Sequence, residues 1–237
     1  MSAVLVAGLL SWVLSPVDTP SQKYPEGYLA VPPSKHGRGV LVLHPWWGLN
    51  GDVKAFCDRL AKSGFIAFAP DLFHGKTAKT ESEAEALVKS YRPKEGEINR
   101  EISEAAKYLA ERSGEEGIGV VGFSFGAYYA LSFSNAEPKR VHSVVVFYGT
   151  GQEDFGKSKA SYLGHFAEND DFEPKSSVDS LTASLKAAGR PSTIYTYPAT
   201  GHWFFEPSVT KAYGEKAAEL AWQRTLEFLQ KTLTTAQ

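Results

Sequence analysis

Gly122-Phe123-Ser124-Phe125-Gly126 is the stretch of sequence that decides the fold. It has the form Gly-x-Ser-x-Gly, follows the apolar run 118–121 and precedes the helix-compatible run 127–133. A strand, a sharp turn with serine at its apex and a helix together form a nucleophile elbow, which presents the serine hydroxyl clear of the sheet. Glycines suit this turn because side chains two residues either side of the serine would collide with the neighbouring backbone. The stretch therefore predicts that Ser124 is a nucleophile.

Apolar runs alternate with helical patterns along the rest of the chain. The runs predict strands at 27–31, 40–43, 65–69, 117–123, 141–148, 162–167 and 192–197, and the patterns predict helices at 53–62, 81–90, 97–112, 127–133, 178–188 and 217–233. Asp52 is the predicted cap of the first helix. This alternation is typical of a mostly parallel sheet with helices on both faces, so we expect one α/β domain over residues 21–237. In such sheets ligands bind beyond the carboxyl ends of the strands.

Composition limits the classes of partner and cofactor. The chain has 237 residues, a formal net charge of −2 and no basic stripe, so we expect no nucleic-acid partner. Its single cysteine, Cys57, excludes an internal disulfide, and a place inside a predicted helix favours a buried, inert thiol. The sequence has no His-x-x-x-His pair and no Cys/His cluster. We therefore expect no metal and no cofactor.

The apolar N-terminal segment carries the one ambiguous targeting signal. Residues 3–14 read AVLVAGLLSWVL, which is too short for an ordinary spanning helix. A secretory signal starts with basic residues, and none precedes Lys23. We interpret residues 1–20 as an extra packed element, with a signal or membrane anchor as the alternative. A cytoplasmic location is favoured over membrane association or secretion, and the oligomeric state stays open.

The residues that follow the elbow supply partners for the serine. A serine hydroxyl needs a base to take its proton and a carboxylate to orient that base. After a nucleophile elbow the acid precedes the histidine in the chain. His202 follows the last predicted strand and is the only histidine beyond the acidic run 168–171, so it is the predicted base. Within that run Glu168, Asp170 and Asp171 are all candidates for the acid.

Attack on an ester also requires donors for the oxyanion. We assign this role to the main-chain N–H groups of Phe125, next to the nucleophile, and Trp46, in the loop after the strand 40–43. Aromatic residues near these loops are candidate pocket walls, with core packing as the alternative: Trp46, Trp47, Phe125, Tyr148 and Trp203. His74 is a further pocket candidate. His44 is assigned a structural or pocket role, and the remaining histidines are expected at the surface or in packing.

Taken together, these motifs resemble the dienelactone hydrolase family from about residue 27 to the C-terminal helix. The matching stretches are His44-Pro45-Trp46-Trp47-Gly48-Leu49-Asn50, Pro70-Asp71-Leu72, the elbow, Tyr148-Gly149, 165–174 and Gly201-His202-Trp203-Phe204. The resemblance implies an α/β-hydrolase fold without a large lid domain and a nucleophile–His–Asp triad. It places the acid at Asp170, with Asp171 as the runner-up and Glu168 behind it.

Three positions depart from the family pattern that the resemblance implies. Ser124 stands where archetypal members have a cysteine nucleophile, and Pro45 stands where they have a glutamate that interacts with it. Glu206 replaces an arginine that holds the substrate carboxylate, and two carboxylates would repel each other. Glu206 is therefore a pocket candidate, and a substrate other than dienelactone itself is favoured.

The leading hypothesis is a serine hydrolase that cleaves a small ester or lactone through an acyl-enzyme intermediate. These residues do not distinguish an ester from a thioester or an amide. The alternative from another class is a non-catalytic binding protein that keeps the hydrolase fold and pocket, since a fold alone does not establish activity.

Overall fold

The structure, a computed structural model, describes residues 25–151 and 154–233. In this part of the chain seven strands form one sheet: β1 (Gly27–Ala30), β2 (Gly39–Leu43), β3 (Ile66–Pro70), β4 (Ile118–Phe123), β5 (Val141–Phe147), β6 (Ser161–Asn169) and β7 (Ser192–Gly201). Their order is β1-β3-β2-β4-β5-β6-β7, in which β1 is antiparallel to β3 and the other pairs are parallel. The mostly parallel sheet is confirmed. The apolar segment 1–20 lies outside the described residues.

Helices cover both faces of the sheet. They are α1 (Gly51–Lys62), α2 (Glu81–Tyr91), α3 (Glu95–Ser113), α4 (Phe125–Ala136), α5 (Lys175–Ala187) and α6 (Glu215–Thr232). Residues of α1 and α6 pack in one apolar core, and residues of α3, α4 and α5 pack in the other. All five residues of β2 are buried: Val40 and Val42 join the first core, whereas Leu41 and Leu43 join the second. Burial on both faces explains why this strand is a continuous apolar run.

The elbow has the close packing that its glycines predict. A Cβ on Gly122 would lie 2.4 Å from the Gly126 carbonyl oxygen, and a Cβ on Gly126 would lie 2.2 Å from that of Leu43. Both distances are shorter than any side chain tolerates, so β4, β2 and the start of α4 approach each other only because these positions are glycine. Ser124 itself has a φ of +46°, a left-handed conformation that is strained for a residue with a side chain.

One local prediction changes at the start of α1. The cap of α1 is Asn50, whose Oδ1 accepts from the Val53 N–H at 3.1 Å, rather than Asp52. Asp52 lies in the first turn, where its carboxylate accepts hydrogen bonds from the main-chain N–H and the hydroxyl of Ser208 at 3.0 and 2.5 Å. The prediction of Asp52 as the cap was therefore wrong. This contact joins the start of α1 to the loop between β7 and α6.

The strands that lead to the acid and the histidine are longer than their apolar patterns. β6 ends at Asn169 and β7 ends at Gly201, so Asp170 and His202 each follow their strand directly. The register between the two strands shifts from the pair Ala167–Tyr197 to the pair Asn169–Gly201. This irregularity gives β7 extra residues and brings the two strand ends level. The two loops therefore begin side by side.

Candidate active site

A chain of hydrogen bonds joins three strand-end loops. Ser124 Oγ lies 3.0 Å from His202 Nε2. His202 Nδ1 lies 2.8 Å from both carboxylate oxygens of Asp170. The side chains of His202 and Asp170 are 6% and 2% exposed, so their pairing is shielded from water. A carboxylate, an imidazole and a hydroxyl in this sequence have the geometry needed to move a proton off the serine.

The structure distinguishes the three candidate acids. Asp170 Oδ1 also accepts from the N–H groups of Phe172 and Glu173 at 3.0 and 2.9 Å, which fixes the carboxylate beside the imidazole. Asp171 is exposed. Glu168 lies within β6, and its Oε2 accepts from the Ala199 N–H at 2.8 Å. Among these carboxylates, therefore, only Asp170 contacts His202.

The start of α4 and the loop after β2 carry two main-chain N–H groups without hydrogen-bond partners among the described residues. Phe125 is the first residue of α4, so its N–H has no acceptor within the helix. The N–H of Trp46 makes no hydrogen bond to another main-chain group. Ser124 does not cap α4 with its side chain, because its hydroxyl is directed to His202. Both N–H groups thus remain free to stabilise a negatively charged oxygen.

An aromatic wall, formed by Trp46, Trp47, Phe172 and Trp203, adjoins the histidine. The rings of Trp46 and Trp203 stack at 5.6 Å, and Trp47 packs 5.3 Å from each of them. Phe172 is 49% exposed, and its ring lies 5.1 Å from His202 and 4.9 Å from Trp203. The wall covers one side of the imidazole with apolar surface. It thereby limits the access of water to the hydrogen-bond chain.

Tyr148 and Glu206 form a buried pair, and the tyrosine ring packs near the histidine. Tyr148 follows β5, is fully buried and has its ring 4.9 Å from that of His202. Its hydroxyl donates to Glu206 Oε1 at 2.7 Å. Glu206 is 3% exposed, and its Oε2 has no hydrogen-bond partner among the described residues. Burial, with a smaller contribution from the carboxylate of Asp52, raises the pKa of Glu206 to about 8 although the hydrogen bond from Tyr148 opposes this change, so the carboxyl carries a proton near pH 7.

The raised pKa of Glu206 predicts a loss of stability with increasing pH. The folded protein holds a proton at Glu206 up to about pH 8, whereas the unfolded chain releases it near the ordinary pKa of 4.5. Between these values folding requires proton uptake, so the free energy of unfolding falls as the pH rises, by about 1.4 kcal/mol per pH unit from this group. We expect Glu206→Gln to remove this component. Urea unfolding at pH 5 and pH 8 measures it, and equal pH dependence in both proteins would contradict the prediction.

His74, a predicted pocket residue, lies elsewhere. Its ring is near Glu26 and Glu101, with N···O distances of 3.7 and 3.4 Å, in a separate surface groove. Its side chain is 47% exposed and is not among the groups that contact Ser124 or His202. The structure therefore does not bring His74 to this site. Its position after β3 is at the correct edge of the sheet, but the chain there turns away from the elbow.

Two further buried histidines, His44 and His165, and the cysteine are packed in the protein interior. His44 accepts from the Leu72 N–H at 3.2 Å and joins the loops after β2 and β3. His165 is hydrogen-bonded to Tyr197 and Thr225, and burial lowers its pKa to about 3, so it stays neutral. Cys57 is fully buried, and burial raises the pKa of its thiol. Burial agrees with the structural alternative for His44, the packing alternative for His165 and the buried thiol expected of Cys57.

Two residues at this site escaped the sequence interpretation. Phe172 lies against the histidine, and Glu173 accepts hydrogen bonds from the N–H and hydroxyl of Thr150, both at 2.8 Å. Glu173 thereby fixes the acid loop to the loop after β5. Both residues lie within three positions of Asp170. Their closeness to the predicted acid is the signal that could have identified them.

Comparison with known proteins identifies the family. A sequence model described as "Dienelactone hydrolase family" matches residues 26–233. The chain belongs to the dienelactone hydrolase family. The resemblance of its motifs is thus confirmed, and the chain is a hydrolase of this family by descent.

Relatives of this dienelactone hydrolase family member align over most of their length. Protein usf of Aquifex pyrophilus is 29% identical over 217 residues, which cover 88% of this chain and 94% of the relative. A protein named "Putative carboxymethylenebutenolidase" from Aquifex aeolicus is 28% identical over 216 residues, with 87% and 93% coverage. The crystal structure of the dienelactone hydrolase-like promiscuous phosphotriesterase P91 from metagenomic libraries superposes with a TM-score of 0.77 at 18% identity, covering 87% of this chain and 92% of that one. The likeness in structure confirms the α/β-hydrolase fold.

Two further properties of the described residues bear on the site. Among residues 25–151 and 154–233, no group of three or more His, Cys, Asp and Glu side chains could hold a metal ion. The helices in these two ranges lack the length and apolar character that crossing a bilayer requires.

Proposed function

We propose that this protein is a serine hydrolase that cleaves a small ester or lactone through an acyl-enzyme intermediate. The observation that carries the proposal is the continuous hydrogen-bond chain from Ser124 Oγ through His202 to Asp170. Family membership supports hydrolysis, and the chain of hydrogen bonds supplies the groups for it. Serine, acid and histidine follow the order that the α/β-hydrolase fold uses.

In the first step Ser124 Oγ attacks the carbonyl carbon of the substrate, and His202 Nε2 takes the hydroxyl proton. Asp170 accepts the hydrogen bond of the Nδ1–H, which keeps Nε2 unprotonated before the attack and stabilises the imidazolium after it. The carbonyl oxygen becomes an oxyanion. The N–H groups of Phe125 and Trp46 are assigned to stabilise it, since donors already in place cost no reorganisation.

The intermediate then breaks down in two stages. His202 returns its proton to the leaving oxygen, the alcohol departs, and the acyl group remains on Ser124. For a lactone the alcohol stays tethered to the acyl group until hydrolysis. A water molecule that gives its proton to His202 attacks the acyl carbon, and the carboxylic acid leaves as Ser124 Oγ recovers a proton.

The residues around Ser124, His202 and Asp170 favour substrates with small, uncharged acyl groups. The aromatic wall supplies apolar surface on one side of His202. The carboxylate of Asp52, which is close enough to raise the pKa of Glu206, disfavours an anionic substituent near that residue. We therefore place neutral esters and lactones ahead of carboxylate-bearing ones.

We expect a fluorophosphonate probe to label the protein at Ser124. The probe reacts with serine hydroxyls that a neighbouring base activates, and mass spectrometry of the digested protein locates the adduct. With p-nitrophenyl acetate we also expect an initial burst of about one p-nitrophenol per chain if deacylation is the slower stage. Ser134, buried and hydrogen-bonded to Leu131 and Tyr162, is the internal control that stays unlabelled.

An unlabelled Ser124 and the absence of turnover on every ester would favour the non-catalytic binding protein instead. A panel of acetyl esters, acetyl thioesters and acetanilides defines the leaving group. Faster turnover of thioesters or anilides than of esters would replace the ester assignment while leaving the roles of the three residues intact.

A further inference from the structure

A cavity of about 90 Å³ lies between α1, α6 and the loop after β7. We call it the α1–α6 cavity, and its inner wall consists of the buried apolar side chains of Val53, Phe56, Phe123, Phe205 and Ala218. A single water occupies about 10–15 Å³ on such a measure, so the space suits a small organic group. Pro45, which precedes Trp46, also borders the cavity. The side chains of the hydrogen-bonded set Ser124, His202 and Asp170 are not part of its lining.

One residue that borders this apolar space has a buried polar atom without a hydrogen-bond partner among the described residues. Glu206 borders the cavity, and its Oε2 is buried and makes no hydrogen bond to the described residues. Its Oε1 already accepts from Tyr148, so the carboxyl proton belongs on Oε2. A buried O–H without an acceptor destabilises the folded protein. A ligand oxygen within the cavity would remove that destabilisation.

Charged groups surround the mouth of the cavity and select against anions. Asp52 and Arg59 border it from α1, and Glu219 borders it from α6. Arg59 is already paired with Glu219 at 2.8 Å and stacks on Trp222, so its charge is engaged. Asp52 accepts hydrogen bonds from the N–H and hydroxyl of Ser208 near the entrance. The carboxylate of Asp52 would repel an anion at the entrance, whereas it would not repel an uncharged molecule.

The cavity is linked to the catalytic histidine through one buried side chain. The hydroxyl of Tyr148 binds Glu206 Oε1 at 2.7 Å, and the ring of the same tyrosine lies 4.9 Å from His202. Tyr148 has a φ of +36°, so its backbone is held in a conformation that side chains rarely adopt. An occupant that binds Glu206 is therefore connected to His202 through the side chain of Tyr148.

We propose that the α1–α6 cavity binds a small, uncharged and mainly apolar group whose oxygen accepts a hydrogen bond from Glu206. The bound group can come from two sources. It is either part of the substrate, in which case the assignment rests on the proposed function, or part of a separate small molecule. The apolar wall with one buried polar group is typical of small-molecule sites.

Butyramide and butyrate test the proposal, because they share a shape and differ in charge. Saturation-transfer NMR at pH 6.5, with wild type and Ser124→Ala, should show binding of butyramide and at least about fivefold weaker binding of butyrate. Ala55 is exposed and borders the cavity from α1, so Ala55→Leu should obstruct it and abolish the butyramide signal. Glu206→Leu should weaken butyramide binding by about fivefold or more, since it removes the hydrogen bond. Ala183→Leu, at an exposed position of α5 away from the cavity, is the matched control and should bind butyramide like wild type.

Kinetics with p-nitrophenyl butyrate separate the two sources. Butyramide that raises KM and leaves kcat unchanged occupies the place of the substrate's own acyl group, whereas butyramide that lowers kcat at unchanged KM binds as a separate molecule. The NMR measurement does not depend on turnover, so it tests the cavity even if Ser124 proves not to be a nucleophile. No transfer to butyramide, or transfer that Ala55→Leu leaves unchanged, would overturn the proposal.

Discussion

Replacement of Ser124 by alanine is expected to lower kcat for p-nitrophenyl acetate by at least about 10⁴-fold. The substitution removes the one oxygen that lies within hydrogen-bond distance of His202 Nε2 at the elbow. The N–H groups of Phe125 and Trp46 remain, so the variant keeps the proposed oxyanion donors and loses the proposed nucleophile. Stopped-flow and steady-state assays on purified wild type and variant measure the loss.

The same substitution should leave the fold intact. Ser124 makes no side-chain cap to α4, and alanine keeps the Cβ that already sits in the strained turn. We expect the circular dichroism spectrum to match wild type and the thermal midpoint to change by only a few degrees, about the shift that 1 kcal/mol produces. Equal turnover by wild type and variant would refute the serine mechanism.

Asp170→Asn is expected to lower kcat by about 10³- to 10⁴-fold. Asparagine can keep the oxygen that accepts from Phe172 and Glu173, so the loop keeps its shape. Its amide N–H₂ would then face His202 Nδ1, which must become an acceptor. The proton moves to Nε2, and the base loses the lone pair that receives the proton of Ser124.

Asp171→Asn is the matched control, because it makes the same chemical change one residue away on an exposed side chain. We expect its kcat to stay within about twofold of wild type, since surface substitutions have small effects. A larger loss in Asp171→Asn than in Asp170→Asn would show that another residue supplies the acid. The ¹⁵N chemical shifts of His202 report the tautomer in each variant directly.

The fold and the order of Ser124, the acidic loop and His202 along the chain were predictable, because they depend on local sequence patterns. Apolar runs such as Val40–Leu43 are buried on both faces of the sheet. Glycine is required at positions 122 and 126 because a Cβ there would lie less than 2.5 Å from a main-chain oxygen. Each pattern has a physical cause within a few residues of sequence. For that reason the strands, the elbow and the loop of His202 could be identified from sequence.

Other features depend on contacts between distant segments and could not be read in the same way. The choice of Asp170 over Glu168 and Asp171 depends on where β6 ends and on the register shift against β7. The hydrogen bond to Glu206 comes from Tyr148, 58 positions earlier in the chain. His74 follows a strand as the other candidates do, but its loop turns toward Glu26 and Glu101. The spacing of residues along the sequence does not predict the direction in which such a loop turns.

Cys57 has a practical consequence for thiol labelling. It is the only cysteine of the chain and is fully buried in α1. Burial also raises the pKa of its thiol. Alkylating reagents therefore cannot reach the sulfur, and little of it is in the reactive thiolate form. Any cysteine introduced at the surface would therefore be the single reactive thiol without deletion of the native one. Phe172→Cys would place a spin label or fluorophore on the acid loop, where it reports loop movement during turnover.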